Sequence, residues 1–200
     1  MPISAAPEHS LIVIPREDDV TFGVLTSRLH TVWALAKGGR MGFGNDSRYN
    51  STMTFETFPF PQGLTPADTT GPVETGDDGL ILPSVAHERR PVALAIAQAA
   101  HRLNTLRENW LNPAAWVERV PEVVPGYPDR ILPKPEHAAE LKQRTLTNLY
   151  NARPAWLDNA HKALDVAVAA AYGWEDYTPD MPEHEILRRL LALNLARAAR

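Results

Sequence analysis

The sequence predicts a mainly α-helical fold with a small α+β part at its N-terminal end: a strand–helix–loop segment, a linker, and then a C-terminal helical bundle. Three observations lead there. Apolar residues recur at three- and four-residue spacing through most of the second half of the chain, the helical period. A stretch rich in Gly, Pro, Thr and Asp separates that half from the first sixty residues. The 200 residues are 44% hydrophobic, enough for one respectable core or two small ones.

Element by element, His9-Ser10-Leu11-Ile12-Val13-Ile14-Pro15 is a short apolar run closed by a proline, the pattern of a buried strand. Asp18-Asp19 then lead into Val24, Leu25, Leu29, Val32 and Trp33. Their spacing predicts a helix over about 21–37, opened by acidic residues that suit its dipole and ended by Gly38-Gly39. A polar loop runs from Arg40 to Pro61 and ends in Phe58-Pro59-Phe60-Pro61, where the prolines keep the chain extended and the rings need burial. Residues 62–90 read as a linker with a short Leu80-Ile81-Leu82 run. The predicted division is therefore 1–61, linker 62–90, and a helical domain 91–200.

In the helical domain Ala93, Ile96, Ala100, Leu103, Leu106 and Trp110 form one stripe, begun by Pro91 in a first-turn position and stopped by Asn112-Pro113. A Pro-rich connection over 113–135 follows. Helices are expected near 136–150, 154–172 and 182–199, the last two led by Pro154 and Pro182. Their stripes are Leu157, Ala160, Leu164, Ala167 and Ala171, and Ile186, Leu187, Leu190, Leu191 and Leu195. No repeat of fixed period is visible.

Composition restricts the functional classes. There is no cysteine, hence no disulfide, thiolate nucleophile or Cys-rich zinc module. No window resembles a membrane span, and Met1-Pro2-Ile3-Ser4 does not open a signal peptide, so a cytoplasmic location with no membrane partner is the expectation. The net charge of −4 argues against a free-standing DNA binder, whose affinity comes from cations neutralising phosphates. Contact with DNA would need a local patch.

Asn112-Pro113-Ala114-Ala115-Trp116 departs from the Asn-Pro-Pro-aromatic motif of amino-methyltransferases in the second proline and the adjacent aromatic, and reads as a helix stop. Gly38-Gly39 with Gly42 and Gly44 lacks the Lys-Ser/Thr closure of a phosphate loop. Asp158, His161 and Asp165 share a helical face, but no second cluster completes a metal site, so no metal is expected. No catalytic residue emerges. The stretch after Gly39 is richer: Arg40, Asn45, Arg48, Tyr49, Asn50, Ser51 and Thr52 supply guanidinium forks, amides and hydroxyls of the kinds that contact phosphates and base edges. The same groups also suit a folded loop, in which Arg48 and Asn50 satisfy backbone atoms. Phe55, Phe58 and Phe60 form a candidate docking surface.

Three segments together are similar to a known family. They are Phe22-Gly23-Val24-Leu25 through Ser27-Arg28-Leu29-His30 to Val32-Trp33-Ala34-Leu35; Arg48-Tyr49-Asn50-Ser51 with Thr54-Phe55-Glu56-Thr57-Phe58-Pro59-Phe60-Pro61; and Leu146 to Pro154 with Trp156-Leu157, Ala171-Tyr172-Gly173-Trp174 and Leu191-Ala192-Leu193-Asn194. In order and spacing they resemble the C-terminal region of class I SAM-dependent, adenine-specific DNA methyltransferases of the restriction–modification type. The resemblance implies a C-terminal fragment or subunit of a site-specific DNA (adenine-N6) methyltransferase, with residues 8–61 as target-recognition scaffold and the Phe-Pro-Phe-Pro segment docking onto a neighbour. It implies duplex DNA as a partner, held weakly by this chain alone, and a catalytic methyltransferase portion or subunit as another. S-adenosylmethionine is implied for the full-length family, with no cofactor on this chain, which is not expected to be active by itself. A helical adaptor or interaction protein with no DNA role is the alternative.

Overall fold

The computed structural model describes residues 12–41, 46–124 and 126–198. They form seven α-helices and three two-stranded antiparallel pairs: α1 Asp19–Thr26, α2 Arg28–Lys37, β1 Gly39–Met41, β2 Asp46–Arg48, β3 Val73–Thr75, β4 Ile81–Pro83, α3 Arg90–Leu111, β5 Val117–Val120, β6 Arg130–Pro133, α4 Ala138–Leu141, α5 Leu146–Ala152, α6 Ala155–Ala171 and α7 Glu183–Ala198. The fold is mainly α with a small α+β part, as the periodicity indicates. Two compact units emerge. Among the described residues one comprises 12–15 with those of 102–160, the other those of 16–101 with 161–198, so α3 is divided after His101 and α6 after Ala160.

Several elements differ from the sequence-based expectation. Residues 9–11 of the predicted strand lie outside the described residues, and 12–18 have no regular structure. The predicted helix 21–37 is two helices. Ser27 breaks it with extended backbone (φ −65°, ψ 156°), and its hydroxyl turns inward, donating to the Val24 carbonyl at 2.7 Å while accepting from the His30 N–H at 3.4 Å. The Asp165 carboxylate accepts from the Arg28 N–H at 2.7 Å, supplying the first orphan donor of α2 with a charged partner.

The expected loop over 40–61 holds the β1–β2 ribbon and a π-helical turn, Ser51–Phe55. Residues 62–90, expected as a linker, form the β3–β4 hairpin and bury Leu64 and Leu82 in the second unit. Asp19 of α1 anchors that hairpin by accepting from the Ile81 N–H at 2.8 Å. The connection over 113–135 contains the β5–β6 hairpin, and the helix expected at 136–150 is interrupted between α4 and α5. Arg144 accounts for the interruption: its guanidinium donates to the Trp110 carbonyl at 2.7 Å and lies over the rings of Trp110 and Trp116, 4.9 and 4.3 Å from their centroids. The next residue, Thr145, caps α5 through its hydroxyl. Helices α3, α6 and α7 follow the predicted spans closely, and among the described residues no helix is long and apolar enough to cross a membrane.

The unit built on 16–101 and 161–200 has its core where α1 and α2 meet the first part of α3, the last part of α6 and α7. Val20, Val24, Leu29, Trp33, Ile96, Ala100, Leu164, Val168, Ile186 and Leu190 are all buried there. Phe58 and Phe60 complete it at 5% and 4% exposure, so these rings are core residues of this chain, not an external docking surface. They stack edge-to-face with each other at 5.0 Å, and Phe58 meets His30 at 4.8 Å and Trp33 at 6.3 Å. Two side chains of α7 fasten the segment's backbone: Asn194 donates to the Thr57 carbonyl at 2.7 Å and Arg197 to the Phe60 carbonyl at 2.8 Å. Phe55 remains half-buried against Phe60.

Two substitutions test this packing. A Cβ at Gly23 would stand 2.8 Å from Ile96 Cγ2 and 2.9 Å from Ala100 Cβ. Overpacking of about 1–3 kcal/mol should exceed the roughly 1 kcal/mol of helix propensity that alanine adds. Gly23→Ala should therefore lower the urea midpoint at unchanged slope; a variant as stable as the parent would refute the close approach. Phe58→Ala should lower the stability of the isolated chain by about 3–5 kcal/mol, and an unaltered melting temperature would remove the ring from the core.

Candidate nucleic-acid interface

The ribbon begins where α2 ends, and a glycine makes that junction possible. Gly38 closes the helix with its N–H on the Ala34 carbonyl at 2.8 Å and then turns extended. A Cβ there would lie 2.6 Å from the Ala34 oxygen and 2.7 Å from the Arg48 oxygen, both backbone atoms that cannot move aside. Only glycine lets β2 return so close to the helix end. The register pairs Gly39 with Arg48, Arg40 with Ser47 and Met41 with Asp46. Directly opposed residues share a face and neighbours alternate. Arg40 and Ser47 therefore occupy one face, and Arg48, opposed by a glycine, has the other.

Arg40, Ser47 and Arg48 are all exposed. The Arg40 face lines a groove of about 490 Å³ with Val32, Leu35 and Ala36 of α2 and Glu183 and Leu187 of α7. It turns toward the body of the unit, and the Arg48 face turns outward. Asn45, which the sequence grouped with these residues, lies outside the described residues.

Tyr49, Asn50 and Thr52 form the base of the ribbon. Asn50 caps the π-helical turn, its Oδ1 accepting from the Thr52 N–H at 3.0 Å, the Thr52 hydroxyl at 2.7 Å and the Met53 N–H at 3.3 Å. The Thr54 hydroxyl donates to the Asn50 carbonyl. The acceptor of Asn50 and the hydroxyl of Thr52 are thus committed to loop structure. Tyr49 turns inward, its phenolic oxygen 3.1 Å from His30 Nε2.

His30 is 4% exposed, and its Nδ1 lies 2.9 Å from the Leu25 carbonyl oxygen. A carbonyl only accepts, so Nδ1 carries the proton, Nε2 is the acceptor, and Tyr49 donates to it. Burial pushes the Tyr49 phenol up, which keeps it a donor. Ser47 and His30 were not singled out in the sequence. Ser47 adjoins Arg48 in a polar run, while nothing local separates His30 from the other helical positions.

The remaining sequence candidates have structural roles. Asn112 ends α3 with its N–H on the Glu108 carbonyl at 2.8 Å and its amide on the Glu108 carboxylate at 3.0 Å. Asp158 pairs with Arg153 at 3.0 Å, and Asp165 serves α2. Among the described residues no three His, Asp or Glu side chains are grouped to hold a metal.

Burial lowers the pKa of His30 to about 4, opposed in part by the bond to Leu25. The unfolded imidazole titrates near 6.5, so between these values the unfolded chain takes up a proton that the folded chain refuses. His30 therefore contributes stability that is complete above about pH 6.5 and is lost as pH falls toward 4, about 3 kcal/mol in all. Urea midpoints for the parent should fall between pH 6.5 and 5 more steeply than those of His30→Gln. Parallel curves would refute the buried neutral imidazole.

Comparison with known proteins places these features. Residues 3–62, which contain α1, α2, the ribbon and the Phe-Pro-Phe-Pro segment, match the family model described as the MmeI target recognition domain. No curated protein matches the chain. Among solved structures it is similar to the Type IIL restriction-modification enzyme MmeI, determined in complex with DNA, with a TM-score of 0.54 and 19% identity over 94% of this chain. The chain spans 17% of the length of that enzyme. The fold of residues on both sides of 62 is therefore shared with part of a much longer DNA-bound protein, and the family match falls on the N-terminal segment that carries the ribbon.

Proposed function

We propose that this chain is a DNA-recognition portion of a restriction–modification enzyme and that the β1–β2 ribbon is the element that meets the duplex. One observation carries the reading: an exposed two-stranded ribbon bearing Arg40 and Arg48 lies within the segment similar to a target recognition domain. The major groove of B-DNA admits a two-stranded ribbon, and arginine reads guanine there with two parallel hydrogen bonds. Since the two arginines lie on opposite faces, they serve different ends. Arg48, on the outward face, reaches base edges; Arg40, at the groove beside α2 and α7, reaches a phosphate.

The methyl transfer itself, to adenine N6 in the family that the sequence resembles, belongs to another portion of the enzyme. S-adenosylmethionine does not fit the described residues: donor-binding folds of that class set a Gly-rich turn between parallel strands and helices, and the strands here are three antiparallel pairs. The isolated chain should show no saturable heat with S-adenosylmethionine in calorimetry. The alternative, a helical adaptor, draws on the exposed Leu35, Leu191 and Leu195, which are 51%, 41% and 59% accessible.

Fluorescence anisotropy with a labelled duplex decides between them. At a net charge of −4 the chain should bind weakly and lose affinity steeply between 50 and about 200 mM salt. Arg40→Ala should reduce the salt slope by about 1, and Arg48→Ala should weaken binding by about 1–3 kcal/mol. Arg130→Ala, in the other unit, should change little. Binding indifferent to both ribbon arginines would favour the adaptor.

A further inference from the structure

We propose that His30 is a positioning residue for the recognition ribbon, acting through Tyr49, an inference that rests on the reading of the ribbon as the DNA-contacting element. The imidazole bridges the α1–α2 break and the foot of β2, beside the Gly39–Arg48 strand pairing and the hydrogen bond between the Tyr49 and Thr54 hydroxyls. Its Nδ1 bonds the Leu25 carbonyl, which the break at Ser27 leaves without the N–H that a continuous helix would offer from residue 29. Its Nε2 bonds the Tyr49 hydroxyl at the foot of β2. Its ring stands edge-on to Phe58 at 4.8 Å, which prevents rotation that would exchange the two partners.

Tyr49 in turn sits between Arg48, the outward arginine, and Asn50, the cap of the π-helical turn. Fixing its phenol fixes where β2 leaves the body of the unit. The amide of Gly38 bonds the end of α2, but its close approach to the Arg48 carbonyl is only steric, so it limits how near β2 comes and not the angle at which it leaves. Tyr49, a candidate DNA contact from sequence, is on this view committed inward, and its contribution to recognition is the direction in which Arg48 points.

The two nitrogens can be tested separately. Asparagine at position 30 sets its amide near Nδ1 and keeps the Leu25 bond; glutamine reaches the position of Nε2 and keeps the Tyr49 bond. In the full chain, two-bond nitrogen–proton NMR should show a protonated Nδ1 and a bare Nε2 on His30. Tyr49→Phe and His30→Asn should raise amide exchange at residues 46–50 and lower duplex affinity about two- to tenfold, the worth of one hydrogen bond. His30→Gln should restore both more fully than His30→Asn. A bare Nδ1, or unchanged exchange at 46–50 in Tyr49→Phe, overturns the proposal. Faster exchange with unchanged duplex affinity upholds the positioning role and removes the ribbon from DNA contact.

Discussion

The break between α1 and α2 is the constraint on which the ribbon and the core beneath it depend. Had residues 19–37 formed one straight helix, the Leu25 carbonyl would be satisfied inside it and His30 would have no partner for Nδ1. At Ser27 the chain turns instead, and each group released by the turn finds a designated partner. The Ser27 hydroxyl takes the Val24 carbonyl, the Asp165 carboxylate takes the Arg28 N–H, and His30 takes the Leu25 carbonyl. A buried helix end without such partners would leave unsatisfied donors and acceptors at roughly 1–3 kcal/mol each. The break is thus stabilised by side chains that come from both ends of the sequence.

Its consequences extend outward in order. With α2 turned, Trp33 and Leu29 face Ile186 and Leu190 in one core, and Phe58 closes that core against His30 and Trp33. Burying Phe58 and Phe60 brings their backbone under α7, where Asn194 and Arg197 hold it. The ribbon is then spanned between two fixed points, the end of α2 at Gly38 and the π-helical turn at Asn50. An exposed hairpin with strands of three residues has little stability of its own. Its geometry is inherited from its anchors.

How much of this was legible follows from the distance of each cause along the chain. Helices α3 and α7 were legible because stripe, start and stop are all local: Pro91 and Asn112-Pro113 for one, Pro182 for the other. The Ser27 break was not, since the residue that makes it tolerable, Asp165, lies 137 positions from Arg28, whose N–H it accepts. The ribbon escaped notice because three-residue strands are too short to show an alternating pattern, and Gly38-Gly39 reads equally well as a helix exit. That Gly38 is needed for the approach of the Arg48 carbonyl is a fact of two backbones, absent from either stretch alone. Residue chemistry singled out the stretch 40–52, which the fold makes a ribbon and a capped turn. It did not separate the exposed Arg40 and Arg48, which lie on opposite faces of the ribbon, from Tyr49, Asn50 and Thr52, which hold the loop, because that depends on strand register and on His30.

The acidic balance of the chain is compatible with a recognition role once its charges are located. Asp176 and Glu185 pair with Arg189, Glu185 again with Arg188, and Glu74 with Arg90, three carboxylates against three arginines, so these pairs leave the total unchanged and only fix where those charges sit. At physiological salt a charge is screened beyond about 8 Å, so what a phosphate meets at the ribbon is set by its immediate neighbours and not by the total of −4. Those neighbours include Arg40 and Arg48, with Glu183 at the groove that Arg40 lines. Two cations, one of them beside a carboxylate, provide little sequence-independent affinity. On the proposed reading, a surface of that kind would discriminate through the direction of its arginines more than through attraction, and the bonds from Leu25 through His30 to Tyr49 would bear on that direction. On the same reading, strong phosphate binding would have to come from outside these residues, which would leave the ribbon free to be selective.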